Sequence, residues 1–280
     1  MSELEALLLG IVQGLTEFLP ISSSGHLVLV PWLQDYTFLK THEDFNKTFD
    51  VALHAGTLIA AVAYFRHEVV RFTAGSVRAL RRRRIEGPDE RLAVAIAIGT
   101  VPAVIAGGLG ETLISEHLGE PWLISILLIL FGAVLLWADS LPERRRAESV
   151  GLRDGLYIGL AQVLSLAPGV SRSGVTISMG RYLGLDRDSA ARVSFLFLIP
   201  VVAAATVYSV GEAVREGLPG GVAGPMAVGM VAAAVSGYLA IAGLLRLVRH
   251  HSYRPFALYR FAAGALCLLI IATGLREATF

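Results

Sequence analysis

Gln13, Glu17, Ser22, Ser23, Ser24 and His26 stand together inside an apolar run that begins at Leu4 and resumes through Leu27–Trp32. A charge at mid-membrane depth costs from ~2.5 to over 10 kcal/mol, so an ionisable group there marks a functional site by default. A second stretch reads the same way: Gln162, Ser165, Pro168, Ser171, Arg172, Ser173 and Thr176. Each begins Gly-x-x-Gln (Gly10 to Gln13, Gly159 to Gln162). Each then passes a proline and reaches Ser-x-Ser-Gly (Ser22 to Gly25, Ser171 to Gly174). One copy brings Glu and His, the other Arg. Helix N-termini offer free N–H groups and the positive end of the dipole, which together bind anions. Ser22, Ser23, Ser24, Ser171 and Ser173 add hydroxyl donors, as does Thr176. Gly25 and Gly174 let a ligand approach the backbone, and Arg172 supplies a planar fork matched to phosphate. That set suits a phosphate or diphosphate. Binding alone needs neither Glu17 nor His26, but phosphoryl transfer uses a base, a proton donor or a metal ligand.

Each residue also has a plainer reading. A serine run at a helix start caps it. Glu17 and Arg172 can form a simple ion pair, His26 can be a satisfied core residue, and Gln13 can bond backbone. The joint pattern, present twice, is what points to one shared site.

The elements that must position these tips follow from hydropathy. Of the 280 residues 54% are hydrophobic and 17% charged, and the mean hydropathy is +0.62. Soluble domains carry about 25% charged residues, so the composition is that of an integral membrane protein, read as one domain over residues 1–280. No basic leader with a small-residue cleavage site is present, so no removable signal peptide is expected. Residues 4–19 read as a helix ending at Pro20, with Ser22–Ser24 starting a second piece to about Trp32. A span needs about 20 apolar residues, so helix–break–helix implies a re-entrant hairpin. The second hairpin is expected at about 152–184. Crossings are expected at about 49–65, 92–109, 121–138, 189–210 (with Pro200 inside it), 221–247 and 255–275.

Positive residues set orientation. A loop after crossing one carries Arg66, Arg71, Arg78, Arg81–Arg84 and Arg91, and basic residues also follow crossings three and five. These segments are expected on the cytoplasmic side, the termini and the Arg215 loop outside. Arg81–Arg84 read as a topology signal rather than a nucleic-acid or lipid-headgroup patch, so no nucleic-acid partner is expected. The expected fold is therefore an all-α polytopic membrane protein. It has two inverted-topology repeats, about 1–140 and 150–280, each a re-entrant hairpin plus three transmembrane helices. Such repeats characterise many transporters, so architecture alone does not separate enzyme from carrier.

Other polar residues carry weaker signals. Lys47 and Asp50 read as interface anchors, and His54 as packed or water-facing. Arg260, inside crossing six, reads as structural, either paired with a site carboxylate or snorkelling. His42, His67, His117, His250 and His251 show no metal-ligand spacing. Cys267 reads as a buried small hydrophobe.

The Gln13-x-x-x-Glu17 pattern, the run from Glu17 to His26 (EFLPISSSGH) and the run from Pro168 to Thr176 (PGVSRSGVT) resemble the undecaprenyl-diphosphate phosphatase family of the bacitracin-resistance type. Phe49–Thr57 and Phe256–Phe261 also resemble family segments, so the similarity covers nearly the whole chain. The resemblance implies a plasma-membrane hydrolase, open to the outer face. It would remove the terminal phosphate from a C55 polyprenyl diphosphate, recycle the lipid carrier for cell-wall glycan synthesis and confer bacitracin resistance. Carried over by position, Glu17 is an acid of the motif, Ser23 the nucleophile, His26 the catalytic histidine and Arg172 the diphosphate clamp. Gln13 stands where many members have Glu, which weakens a two-carboxylate metal site. Mg²⁺ or Ca²⁺ bridging Glu17 and the diphosphate is a minor expectation, and no organic cofactor is expected. Either Ser23 attacks phosphorus, with His26 or Glu17 taking its proton, or water attacks directly. The competing reading is a polyprenyl-phosphate transporter using the same anion site. Neither chain length nor oligomeric state follows from the sequence.

Overall fold

In lipid every backbone N–H and C=O must find a partner inside the protein, and a helix does this within its own segment. The computed structural model describes residues 1–34, 36, 43–216 and 223–279, with the side chains of 43, 44, 47, 110–117, 209, 210 and 212–216 outside that description. Its described regular structure is helical apart from one isolated bridge, Arg145 to Leu185. The helices are α1 (Glu3–Phe18), α2 (Ser23–Gln34), α3 (Glu43–Tyr64), α4 (Arg66–Arg82), α5 (Pro88–His117) and α6 (Pro121–Asp139). They continue with α7 (Leu152–Val163), α8 (Arg172–Tyr182), α9 (Arg187–Glu216), α10 (Ala223–Val248) and α11 (Arg254–Ala272).

Among the described residues five stretches are long and apolar enough to cross a membrane: Pro88–Leu109, Pro121–Asp139, Arg187–Tyr208, Ala223–Val248 and Arg254–Ala272. They correspond to expected crossings two to six, and they make this a multi-pass membrane protein. Crossing one differs. α3 qualifies only together with α4, from which it is bent by 84°. Its apolar part, Thr48–Tyr64, is cut short by the bend that follows it. The loop expected after it is also corrected, because Arg66–Arg82 is helical. Arginine is a good helix former, and Phe72, Gly75 and Ala79 give a buried seam at helical spacing. That seam rests on α5. Pro200 lies inside α9, which continues through it. Lys47 and Arg215 have their side chains, and His42 and His117 respectively the whole residue and the side chain, outside the described set.

Small residues decide which helices touch. α1 lies along α10, where a Cβ on Gly14 would stand 2.0 Å from Ser236 Oγ and one on Gly10 2.4 Å from the Gly229 carbonyl. α7 lies along α5 in the same manner: a Cβ on Gly159 would stand 2.2 Å from the Gly99 carbonyl. Close backbone approach of this kind is how membrane helices associate when lipid is as apolar as leucine. α3 also packs on α10 and on α9, α5 on α9, and α6 on α11. The first limb of each broken pair thus packs on a long helix from the other half of the chain. Cys267 is buried beside Leu29, Trp32, Ile124 and Leu128.

Candidate active site

Two breaks face each other at the centre. The first runs from Leu19 to Ser22, the second from Ala167 to Ser171. Ser22 and Ser171 both take left-handed backbone angles, φ 78° and 76°. That is uncommon for a residue with a Cβ and persists only where the surroundings enforce it. Both serines cap the helix that follows. Ser22 Oγ accepts from the Gly25 N–H (3.3 Å) and Ser171 Oγ from the Gly174 N–H (3.1 Å). The tips are then tied to each other, since Gly169 N–H donates to Ser22 Oγ (3.0 Å) and Ser173 Oγ–H to the Leu19 carbonyl (3.0 Å).

Arg260 completes the junction. It is fully buried on α11. Its guanidinium donates to the Pro20 carbonyl of the first break (3.2 Å) and to Gly169 and Val170 of the second (2.8 and 3.1 Å). It also reaches Leu127 and Leu128 on α6. The carbonyls freed by two interrupted helices are therefore collected by one side chain. The role is structural, as expected, but neither expected form applies: among the described residues no carboxylate pairs with it.

Beside this junction lies a cavity of about 340 Å³ lined by Glu17, Ser23, Ser24, Asp50, His54, Ser165, Ser171 and Arg172, with Val51, Val201, Val202, Ala205 and Thr206 as its remaining wall. Its α3 and α9 residues belong to the portions of those helices away from the arginine-rich segments. Glu17 is the hub. Its Oε2 accepts from Ser23 Oγ at 2.5 Å and from Gln13 Nε2 at 3.1 Å, while Oε1 accepts from Arg172 Nη2 at 3.0 Å. Arg172 also donates to the Ser194 carbonyl on α9 (3.3 Å). The N-termini of α2 and α8 converge here, bringing two positive dipole ends to one space.

The sequence candidates divide accordingly. Glu17, Ser23, Ser24, Ser171 and Arg172 line the cavity. Gln13 stands behind Glu17 as a second-layer donor rather than on backbone. Ser22, Gly25, Ser173 and Gly174 build the junction. Thr176 is buried against Ser194 Oγ (2.6 Å). His26 faces elsewhere: Nδ1 donates to the Ser22 carbonyl (2.7 Å), and Nε2 accepts from the Tyr259 hydroxyl (2.7 Å), whose ring stacks on it. It does not line the cavity. Asp50, expected at the interface, does. So does His54, whose Nε2 lies 3.8 Å from Glu17 Oε2. Their spacing of four on an apolar helix was the available signal, since it puts both on one face.

A protein-held metal does not fit well here. No group of three or more His, Cys, Asp or Glu side chains among the described residues is placed to hold one, and both Glu17 oxygens already accept hydrogen bonds.

Residues 6–266 match the family described as Bacitracin resistance protein BacA. Among similar proteins is one from Geobacter sulfurreducens named undecaprenyl-diphosphatase, 48% identical over 96% of this chain and 98% of its own. Proteins of the same name from Pelobacter propionicus and Rubrobacter xylanophilus are 44% and 45% identical. They cover 98% and 96% of this chain and 99% and 98% of their own.

Proposed function

Because the chain belongs to the bacitracin resistance protein BacA family, we propose that it hydrolyses undecaprenyl, or a similar polyprenyl, diphosphate to the monophosphate and inorganic phosphate. The observation that carries this reading is the Ser23 hydroxyl held 2.5 Å from Glu17, beside Arg172, where two helix N-termini meet. Arg172 and the N–H groups of both tips hold the diphosphate and balance charge as the bridging P–O bond breaks, the main task in phosphoryl transfer. Ser23 Oγ bonds to the terminal phosphorus, its proton passes to Glu17, and the lipid monophosphate leaves with the bridging oxygen. Water then bonds to phosphorus, phosphate departs, and a proton returns to Ser23. Arg172 must shift from Glu17 towards the substrate, which frees the carboxylate to act as base. Mg²⁺ or Ca²⁺ would arrive on the diphosphate and neutralise part of its charge. The polyprenyl tail stays in lipid between crossings.

The two broken pairs are re-entrant hairpins in inverted repeats. The matching left-handed serines, the matching caps and the exchanged helix pairing support that reading. The arginine-rich segments face the cytoplasm, so the cavity opens to the outer face of the plasma membrane. The product there re-enters cell-wall glycan synthesis. Removal of the diphosphate lipid, the target of bacitracin, gives resistance.

A second reading, lipid transport, draws on a cavity of about 590 Å³ at the basic end, lined by Phe65, Arg71, Arg187, Arg192 and Arg249 among others. Phosphate release in detergent, where nothing can be transported, separates the two. Wild type should release phosphate from C55 diphosphate, and Glu17→Ala and Arg172→Ala, still folded, should lose at least about 100-fold. Trapping phosphate on Ser23 distinguishes the covalent route from direct attack by water. No release by folded wild type with or without Mg²⁺ or Ca²⁺ would leave transport as the better reading.

A further inference from the structure

We infer that His54, not His26, is the imidazole that carries the reaction's proton, a conclusion that rests on the hydrolase reading above. Two observations converge. The first concerns what each ring can still do. His26 has both nitrogens engaged, by the Ser22 carbonyl and the Tyr259 hydroxyl. Taking a proton on Nε2 would require the tyrosine hydroxyl to reverse from donor to acceptor, and the His26 ring is buried outside the cavity. His54 has only Nδ1 engaged, donating to the Asp50 carbonyl at 2.7 Å. That bond fixes the tautomer and leaves the Nε2 lone pair free. The second concerns where that lone pair points. Nε2 stands 3.8 Å from the Glu17 oxygen that already accepts the Ser23 hydroxyl. The side chain is 34% exposed, whereas Glu17 is 5% exposed. Ser23, Glu17 and His54 therefore form a path from the nucleophile to the open part of the cavity.

The step balances without a further reagent. As the Ser23 Oγ–P bond forms and the bridging P–O bond breaks, the Ser23 proton moves to Glu17 Oε2. It passes to His54 Nε2, directly or through one water. His54 then gives it to the leaving monophosphate or to water in the cavity. Glu17 is thereby an anion again when the hydrolytic water arrives. The charged groups facing His54 across this cavity are Glu17 from α1, Arg172 from α8 and Asp50 from its own helix. The α9 wall contributes Val201, Val202, Ala205 and Thr206, none of them charged. His26 is assigned a positioning role: it holds the Ser22 carbonyl, and so the left-handed turn that aims Ser23.

The test is the pH dependence of phosphate release by full-length protein in detergent, for wild type, His54→Gln and His26→Gln. A base that must be neutral gives a rate that rises with pH through the histidine range and then levels. His54→Gln is expected to lower kcat about 100-fold, change KM by less than about threefold, and remove that rise. His26→Gln is expected to lower kcat but keep the rise. The inference is overturned if His54→Gln keeps it, or if His26→Gln alone abolishes it. No phosphate release from wild type would instead overturn the hydrolase reading and this one with it. If His54→Gln does not fold, histidine titration by NMR on intact wild type and Glu17→Gln decides. The His54 resonance should move when Glu17 loses its charge, and the His26 resonance should not; the converse rejects the assignment.

Discussion

A single side chain, Arg260, answers for the polar backbone that two broken helices expose. A buried carbonyl left without a donor costs about 1–3 kcal/mol, and Arg260 serves three at the breaks, Pro20, Gly169 and Val170, besides Leu127 and Leu128 within α6. Arg260→Met should therefore lower the thermal midpoint in detergent strongly, with an expected loss of at least about 3 kcal/mol. Arg260→Lys should recover only part of it, because an ammonium cannot fork across three strands of backbone. Equal stability of Met and wild type would mean that other donors satisfy these carbonyls. Residues of this kind mark the limit of sequence reading. Ser22, Ser23, Glu17 and Arg172 were legible because each is a polar group in an apolar run. The function of Arg260 was not, because a sequence does not show which carbonyls a break will free or which helix will pass beside them. His54 was missed for a related reason: its partner Glu17 lies far away in the chain, and only the fold brings the two together.

At the scale of elements, glycine decides how near the hairpin limbs come to their neighbours. A leucine at Gly14 would drive a Cβ into Ser236 and the Ala233 carbonyl, 2.0 and 2.5 Å away. Gly159→Val would do the same against Gly99. Each should cost about 3 kcal/mol or more and lower phosphate release by displacing a tip. Gly243→Leu, on α10 but with nothing within 4 Å of its Cβ position, should be close to neutral. Thermal unfolding of the three variants checks this, and equal losses would show that the small-residue seams are not what limits stability. Helix positions were largely legible, because apolar runs of sufficient length have few alternatives in lipid. The exception is α4. Its arginines suggested a loop, yet Phe72, Gly75 and Ala79 already spelled a helical seam. The 84° bend at Phe65 is set by tertiary packing, for which the local residues give no angle.

For the molecule as a whole, the proposed orientation rests on where the arginines gather. With the single cysteine removed as Cys267→Ala, a cysteine placed at Arg83 should be shielded from a membrane-impermeant thiol reagent added to intact cells, and one at Thr279 should react. The opposite pattern would turn the cavity towards the cytoplasm and remove the outer-face reading. The likeness of the two broken stretches was legible from Gly-x-x-Gln and Ser-x-Ser-Gly alone. What those motifs did not say is that the first helix of each broken pair packs on the opposite half, α1 on α10 and α7 on α5.

That exchange has a consequence for synthesis. The first broken pair, α1 and α2, leaves the ribosome before α8, α10 and α11, on which it packs or bonds, exist. Glu17 must wait in the nascent chain for Arg172, α1 must wait for α10, and the Pro20 carbonyl must wait for Arg260 on the last helix. Until α11 is inserted the Pro20 carbonyl lacks its Arg260 donor and His26 lacks the Tyr259 hydroxyl. The junction is complete only when translation is nearly finished, because a chain interrupted before residue 254 carries every candidate catalytic residue but not the Arg260 that spans the two breaks. The first broken pair is thus the segment that is oldest in synthesis and among the last to be secured.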